Sequence, residues 1–166
     1  MEIMWAPWRG EYIDGTTGYP QPEGCVFCEA LTAENDRDRY IIHRGRNAFV
    51  IMNLYPYNNG HLLVIPNEHM SRASQMDAET RHEVMDLLMK AEAVLFQVYH
   101  PQGVNIGANI GAAAGAGIAQ HVHFHVLPRW NADSNFMTTV ANTRVIPEAL
   151  EVTWKKIRDA WDGSKP

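Results

Sequence analysis

Residues 121–129 read His121-Val122-His123-Phe124-His125-Val126-Leu127-Pro128-Arg129. Strict alternation of histidine with Val122, Phe124 and Val126 is a period-two pattern, the mark of a β-strand with two unlike faces. One face is apolar and can pack into a core. The other carries three imidazoles, with neighbouring Cα atoms roughly 6.5–7 Å apart along the strand. Imidazoles so spaced can bind metal, accept a phosphoryl or nucleotidyl group, or move protons. The plain alternative, three polar residues on a solvated strand, leaves unexplained why an uncommon residue type recurs in register.

A second cluster precedes them. Cys25-Val26-Phe27-Cys28 is a half-site for a tetrahedral metal: two thiolates three residues apart can hold one Zn²⁺ from a tight turn, but two more ligands must arrive from elsewhere. His69, just after an expected strand end, and His121 would complete a closed Cys₂His₂ site. The same spacing also suits a redox pair, without the usual intervening Pro or Gly, or two unrelated buried thiols. With His121 on metal, His123 and His125 remain for chemistry. Neutral imidazole attacks phosphorus well, and a second imidazole can donate to a phosphate oxygen or leaving group. The rival arrangement puts all three histidines on a catalytic zinc with an open position, which leaves the cysteines without a role.

Between residues 109 and 117 the chain runs Asn-Ile-Gly-Ala-Ala-Ala-Gly-Ala-Gly. Backbone amides in such a segment can approach phosphate oxygens closely. Tight packing or a flexible turn reads equally well, since the spacing matches no established phosphate-loop fingerprint.

The elements that must carry these residues follow from periodicity. Residues 25–31 can begin a short helix; 47–53 and 61–65 read as strands, the second closed by Pro66, with a loop over 54–60 ending in Asn58-Asn59-Gly60. Val84, Leu87, Leu88, Ala91, Leu95 and Val98 trace one face of a helix capped by Asp77 and ended by Pro101 and Gly103. Residues 104–110 alternate like a strand. Pro147 opens a last helix striped by Leu150, Trp154, Ile157 and Trp161. This order predicts an α+β fold: a mostly antiparallel sheet of about five strands, one long packed helix and a C-terminal helix.

At 166 residues and 46% hydrophobic, the chain suits one domain with a real core: an arm over 1–24, a core over 25–130, and a C-terminal loop and helix over 131–166. Net charge is −5 with no block of Lys or Arg, which argues against nucleic acid or an anionic membrane as partner. No apolar stretch has transmembrane length and no signal-peptide pattern opens the chain, so the expected compartment is the cytoplasm.

Taken together these residues resemble the histidine triad (HIT) superfamily. His121-Val-His123-Phe-His125-Val-Leu127 matches its signature in full, Asn53, Pro56 and Gly60-His61 through Pro66 resemble its first nucleotide-binding segment, and the cysteine pair resembles its zinc-bearing members. The ends, Trp5-Ala-Pro-Trp8-Arg9 and Pro128-Arg-Trp130 with Asn135-Phe-Met137, look most like the bacterial branch related to diadenosine tetraphosphate phosphorylases. The resemblance implies a hydrolase or nucleotidyltransferase acting at the α-phosphate of a (di)nucleoside polyphosphate, adenine nucleotides foremost, through a nucleotidyl-histidine. It implies His123 as nucleophile, His125 and His61 on the phosphates, Asn53 at the ribose, Asn109 near the phosphate chain, structural zinc, and a homodimer to which Trp154 and Trp161 contribute unless both are plain core. The glycine–alanine segment departs from the pattern by lacking polar side chains, leaving backbone amides or Gln120 for that contact. Alternatives are a purine nucleoside phosphoramidase and, in another class, a nucleotide-binding sensor without turnover.

Overall fold

The computed structural model describes residues 24–131, 133 and 146–163. A five-stranded antiparallel sheet runs in the order β1-β2-β3-β5-β4, with β1 at Ile41–Arg44, β2 at Ala48–Met52, β3 at Leu62–Pro66, β4 at Gly103–Gly107 and β5 at Phe124–Arg129. Among the described residues three α-helices accompany it: α1 (Val26–Thr32), α2 (Ala78–Tyr99) and α3 (Leu150–Gly163). The arm over 1–24, apart from Gly24, and the Asn135-Phe-Met137 segment lie outside the described residues.

β2 and β3 are buried at every position, because the sheet is covered on both faces. On one side Val50, Leu62, Val64 and Val126 pack under Val84, Leu88, Ala91 and Leu95 of α2 and Ile157 and Trp161 of α3. On the other, Phe49, Ile51, Leu63 and Ile65 meet Phe27 and Ala30 of α1. Continuous apolar runs such as Leu62-Leu63-Val64-Ile65 are what a strand sandwiched between two layers requires. α2 begins as expected: Asp77 accepts the Thr80 amide at 2.7 Å. It ends at His100 in the left-handed conformation, one residue before Pro101.

Several expectations are corrected. The histidine strand is shorter than its alternation: the ladder of β5 starts at Phe124, so His121 and His123 lie before it. There Val122 donates instead to the Met70 carbonyl at 2.7 Å, a loop partner in place of a strand. β4 stops at Gly107 rather than 110, where the glycine–alanine segment leaves the sheet for a 3₁₀ turn at Ala112–Ala114. α3 starts at Leu150, three residues after Pro147. β1 was not anticipated; four residues, two buried, one half-buried and one exposed, give too little periodicity to stand out. Trp154 and Trp161 take core roles: Trp161 is buried against α2, and the Trp154 indole donates to the Ile41 carbonyl at 3.0 Å.

Candidate nucleotide and metal site

β3 and β5 are antiparallel neighbours, pairing Leu63 with His125 and Val64 with Phe124. The end of β3 therefore abuts the approach to β5, and this contact brings together residues more than 50 positions apart. Leu63 belongs to the layer under α1, so its partner His125 faces α1 too. The candidate site therefore lies on the face of the sheet that α1 covers.

Cys25 is the N-cap of α1 and Cys28 lies in its first turn; a spacing of three places both sulfurs on one side of a helix start. His69 follows β3 and His121 precedes β5. The Nδ1 atom of His121 is 3.3 Å from the Cys25 sulfur and 3.7 Å from the Cys28 sulfur, and His69 Nδ1 is 3.3 Å from Cys28. All four candidate ligand atoms lie within 4.8 Å of one another. A tetrahedron with Zn–S of about 2.3 Å and Zn–N of about 2.0–2.1 Å has S···N edges of roughly 3.6 Å, so the separations fit that ion. Orientation fits as well. His121 Nε2–H donates to the Pro66 carbonyl at 2.9 Å, which leaves Nδ1 as a bare lone pair toward the sulfurs, the backbone-anchored arrangement common for metal-binding imidazoles. Burial and the adjacent Cys25 push the Cys28 thiol up, so a thiolate pair here needs a cation beside it.

His61 and His125 form a hydrogen-bonded chain, and their protons and that of His123 can be assigned from their partners. Tyr57 N–H donates to His61 Nδ1 at 3.1 Å, and the Asn53 side-chain amide reaches the same nitrogen at 3.3 Å. His61 Nδ1 is thus the acceptor and Nε2 carries the hydrogen, which it donates to His125 Nδ1 at 2.9 Å. That leaves the hydrogen of His125 on Nε2. This atom is buried and has no hydrogen-bond partner among the described residues. His123 is the reverse: its Nδ1–H donates to the His121 carbonyl at 2.8 Å, so its Nε2 is a lone pair. Burial lowers the pKa of His123, and burial together with the charge of His123 lowers that of His125 to about 4. Both rings are therefore neutral near pH 7. A bare lone pair and a bare N–H donor stand side by side, ring centroids 5.1 Å apart.

Asn53 and His61 join this chain. Asn109, half-buried beyond β4, and Gln120, exposed before His121, make no hydrogen bond to His123 or His125. Two neighbours escaped the sequence reading. Tyr57 stacks on His125 with an interplanar angle of 23° and a centroid distance of 5.7 Å; its only advance signal is its place just before the Asn58-Asn59-Gly60 turn. Phe27, between the cysteines, packs on both His121 and His123 at 5.6 and 5.1 Å. The pattern C-x-x-C draws attention away from what x contributes.

Comparison with known proteins shows the family and the fold. The model of the HIT domain family matches residues 34–132. A Mycobacterium tuberculosis protein named AP-4-A phosphorylase is 32% identical, the match covering 97% of this chain and 85% of that protein. The adenosine 5′-monophosphoramidase of Schizosaccharomyces pombe is 23% identical over 80% of this chain and 95% of its own length. Among solved structures, a zinc-bound histidine triad family protein from Mycobacterium smegmatis superposes with a TM-score of 0.69 at 27% identity, covering 84% of this chain and 94% of that one. Cys25 and Cys28 lie N-terminal to the family match, whereas His69 and His121 lie within it.

Proposed function

This chain belongs to the HIT family, and on that footing we propose that it is an enzyme that cleaves (di)nucleoside polyphosphates at the α-phosphate, with diadenosine tetraphosphate phosphorolysis the leading activity. The observation that carries the reading is the opposed protonation of two adjacent neutral rings, a lone pair on His123 Nε2 and an unpartnered N–H on His125 Nε2. A nucleotide sensor needs donors for phosphate but has no use for a buried nucleophile.

In the proposed reaction His123 Nε2 attacks the α-phosphorus; an N–P bond forms as the P–O bond to the remaining polyphosphate breaks. The His125 N–H stabilises the charge that develops on oxygen. Inorganic phosphate, or water, then attacks the phosphorus, the N–P bond breaks and the lone pair returns to His123. Asn53 and His61 hold His125 in its donor tautomer, and Asn53 also reaches the ribose; Asn109, Gln120 and the amides of the glycine–alanine turn are the proposed contacts of the distal phosphates. Cys25, Cys28, His69 and His121 are the proposed holders of structural zinc. Bound there, the ion would fix the backbone of His121, whose carbonyl orients the nucleophile. Strand β4 lies at the sheet edge with Ile106 41% exposed, a surface suited to pairing with a second copy.

The test is a turnover screen with diadenosine polyphosphates and adenosine monophosphoramidate, each with and without inorganic phosphate. Phosphate-dependent release of ADP from diadenosine tetraphosphate is expected. Turnover confined to the phosphoramidate would replace this reading with the phosphoramidase one, and binding without turnover would replace it with the sensor.

A further inference from the structure

Outside the histidine cluster, a carboxylate at the foot of α3 gathers four donors from three parts of the fold. Glu148 is 16% exposed at its side chain and pairs with Lys156. Its Oε2 accepts the Thr153 hydroxyl at 2.7 Å, the Tyr99 hydroxyl at 2.9 Å and the Asn59 amide at 3.5 Å. Desolvation alone would raise its pKa, but these four donors hold it at about 2, so it stays an acceptor across the working pH range. Three parts of the fold meet on it: the end of α2 through Tyr99, the start of α3 through Thr153 and Lys156, and the turn before β3 through Asn59.

That turn is the entrance to the donor chain. Asn59 is buried, its amide reaches Glu148, and its Oδ1 lies 3.4 Å from the Thr153 hydroxyl, whose one hydrogen goes to the nearer Glu148 oxygen. Gly60 has φ of +76°, and a Cβ there would sit 3.0 Å from the Tyr99 ring. Tyr99 thus packs on the turn with its ring and grips Glu148 with its hydroxyl. On the far side Asn58 donates to the Pro128 carbonyl at 3.2 Å and to Asp133 at 2.9 Å. His61, the next residue after the turn, has no slack in its backbone.

We propose that Glu148 is a positioning residue: by clamping Tyr99, Thr153 and Asn59 it fixes the Asn58–Gly60 turn and, through it, the contact of His61 with His125. The C-terminal helix is then part of the machinery that sets the His125 tautomer, although it touches neither histidine of the proposed reaction. The functional consequence rests on the reading of His125 as phosphate donor; the structural consequence does not.

The experiment compares Glu148→Ala, Glu148→Gln and Asn59→Ala in the full-length, metal-replete protein. Imidazole ¹⁵N–¹H correlation spectra report the His61 and His125 tautomers, and steady-state kinetics report turnover of diadenosine tetraphosphate. Glu148→Ala is expected to mix the tautomers and lower kcat by roughly 10- to 100-fold, the scale of a small misplacement of a reacting group, with KM within about threefold. Glu148→Gln keeps one acceptor oxygen for the hydroxyls and should restore most of both signals. Asn59→Ala leaves Glu148 with its other three partners, so it serves where Glu148→Ala does not fold, with the same spectral and kinetic change expected. Wild-type tautomers in both folded alanine variants would overturn the proposal, as would a fall in melting temperature alone. If the wild type turns over no nucleotide, the function reading fails by itself and the spectra still decide the role of Glu148.

Discussion

Residues two apart divide the proposed labour along the histidine segment. His121 turns Nδ1 to the sulfurs while His123 turns Nε2 to the open site, so their replacements should fail differently. His123→Ala is expected to lose on the order of 10³-fold or more in turnover with substrate affinity roughly kept. An acid-labile nucleotidyl adduct on that ring should appear by mass spectrometry after neutral quenching in the wild type. His121→Ala should instead lose bound zinc and melting temperature, with activity following. An adduct mapped to His125 would reverse the assignment. His125 also makes a pH prediction. Its folded pKa is about 4, lowered by burial and then by His123, against roughly 6.5 for an unfolded histidine. Between these values the unfolded chain holds a proton that the folded one refuses, so this contribution to stability is full above about pH 6.5 and is lost as pH falls toward 4. Calorimetry near pH 5 should show His125→Gln taking up about one proton fewer on unfolding than the wild type.

Among the elements, those with long, clean periodicity were readable in advance and those defined by tertiary contact were not. α2 announces itself through Val84, Leu88, Ala91 and Leu95 and the Asp77 cap. The alternation over 121–125 predicted the common face of the histidines, but not that the ladder begins only at Phe124; the choice of Met70 as partner for Val122 is a property of the loop opposite. β1 was invisible for the same reason, since Ile41 and Ile42 are buried by neighbours on opposite faces. The cysteine pair and its two histidines were legible as a set because ligand chemistry restricts residue types so strongly; Tyr57 and Phe27 were not, because an aromatic ring can pack almost anywhere. α3 supplies the test at this scale. Trp161 is 1% exposed, and Trp161→Ala should cost about 3–5 kcal/mol, read by denaturant titration, while His123 remains intact.

For the molecule as a whole, metal and assembly give separate readouts. Protein purified without added metal should carry one zinc per chain by elemental analysis, and prolonged chelation should lower the melting temperature; a metal-free sample of full stability and activity would remove the ion from the account. The proposed pairing of two copies at β4 is read by sedimentation: the wild type should run as a dimer and Ile106→Lys as a monomer, with α2 and the site left folded. Consider finally which atoms orient the rings of the proposed reaction. His123 is aligned by the carbonyl of His121, His121 by the carbonyl of Pro66, and His61 in part by the amide of Tyr57. These partners belong to the main chain, so side-chain exchange at positions 121 and 66 leaves both carbonyls in place, and at position 57 only proline deletes the amide hydrogen. Sequence drift in descendants of this protein can therefore leave the tautomer of the proposed nucleophile unchanged, and the side chains through which drift could retune the donor chain are Asn53 and those of the proposed Glu148 clamp.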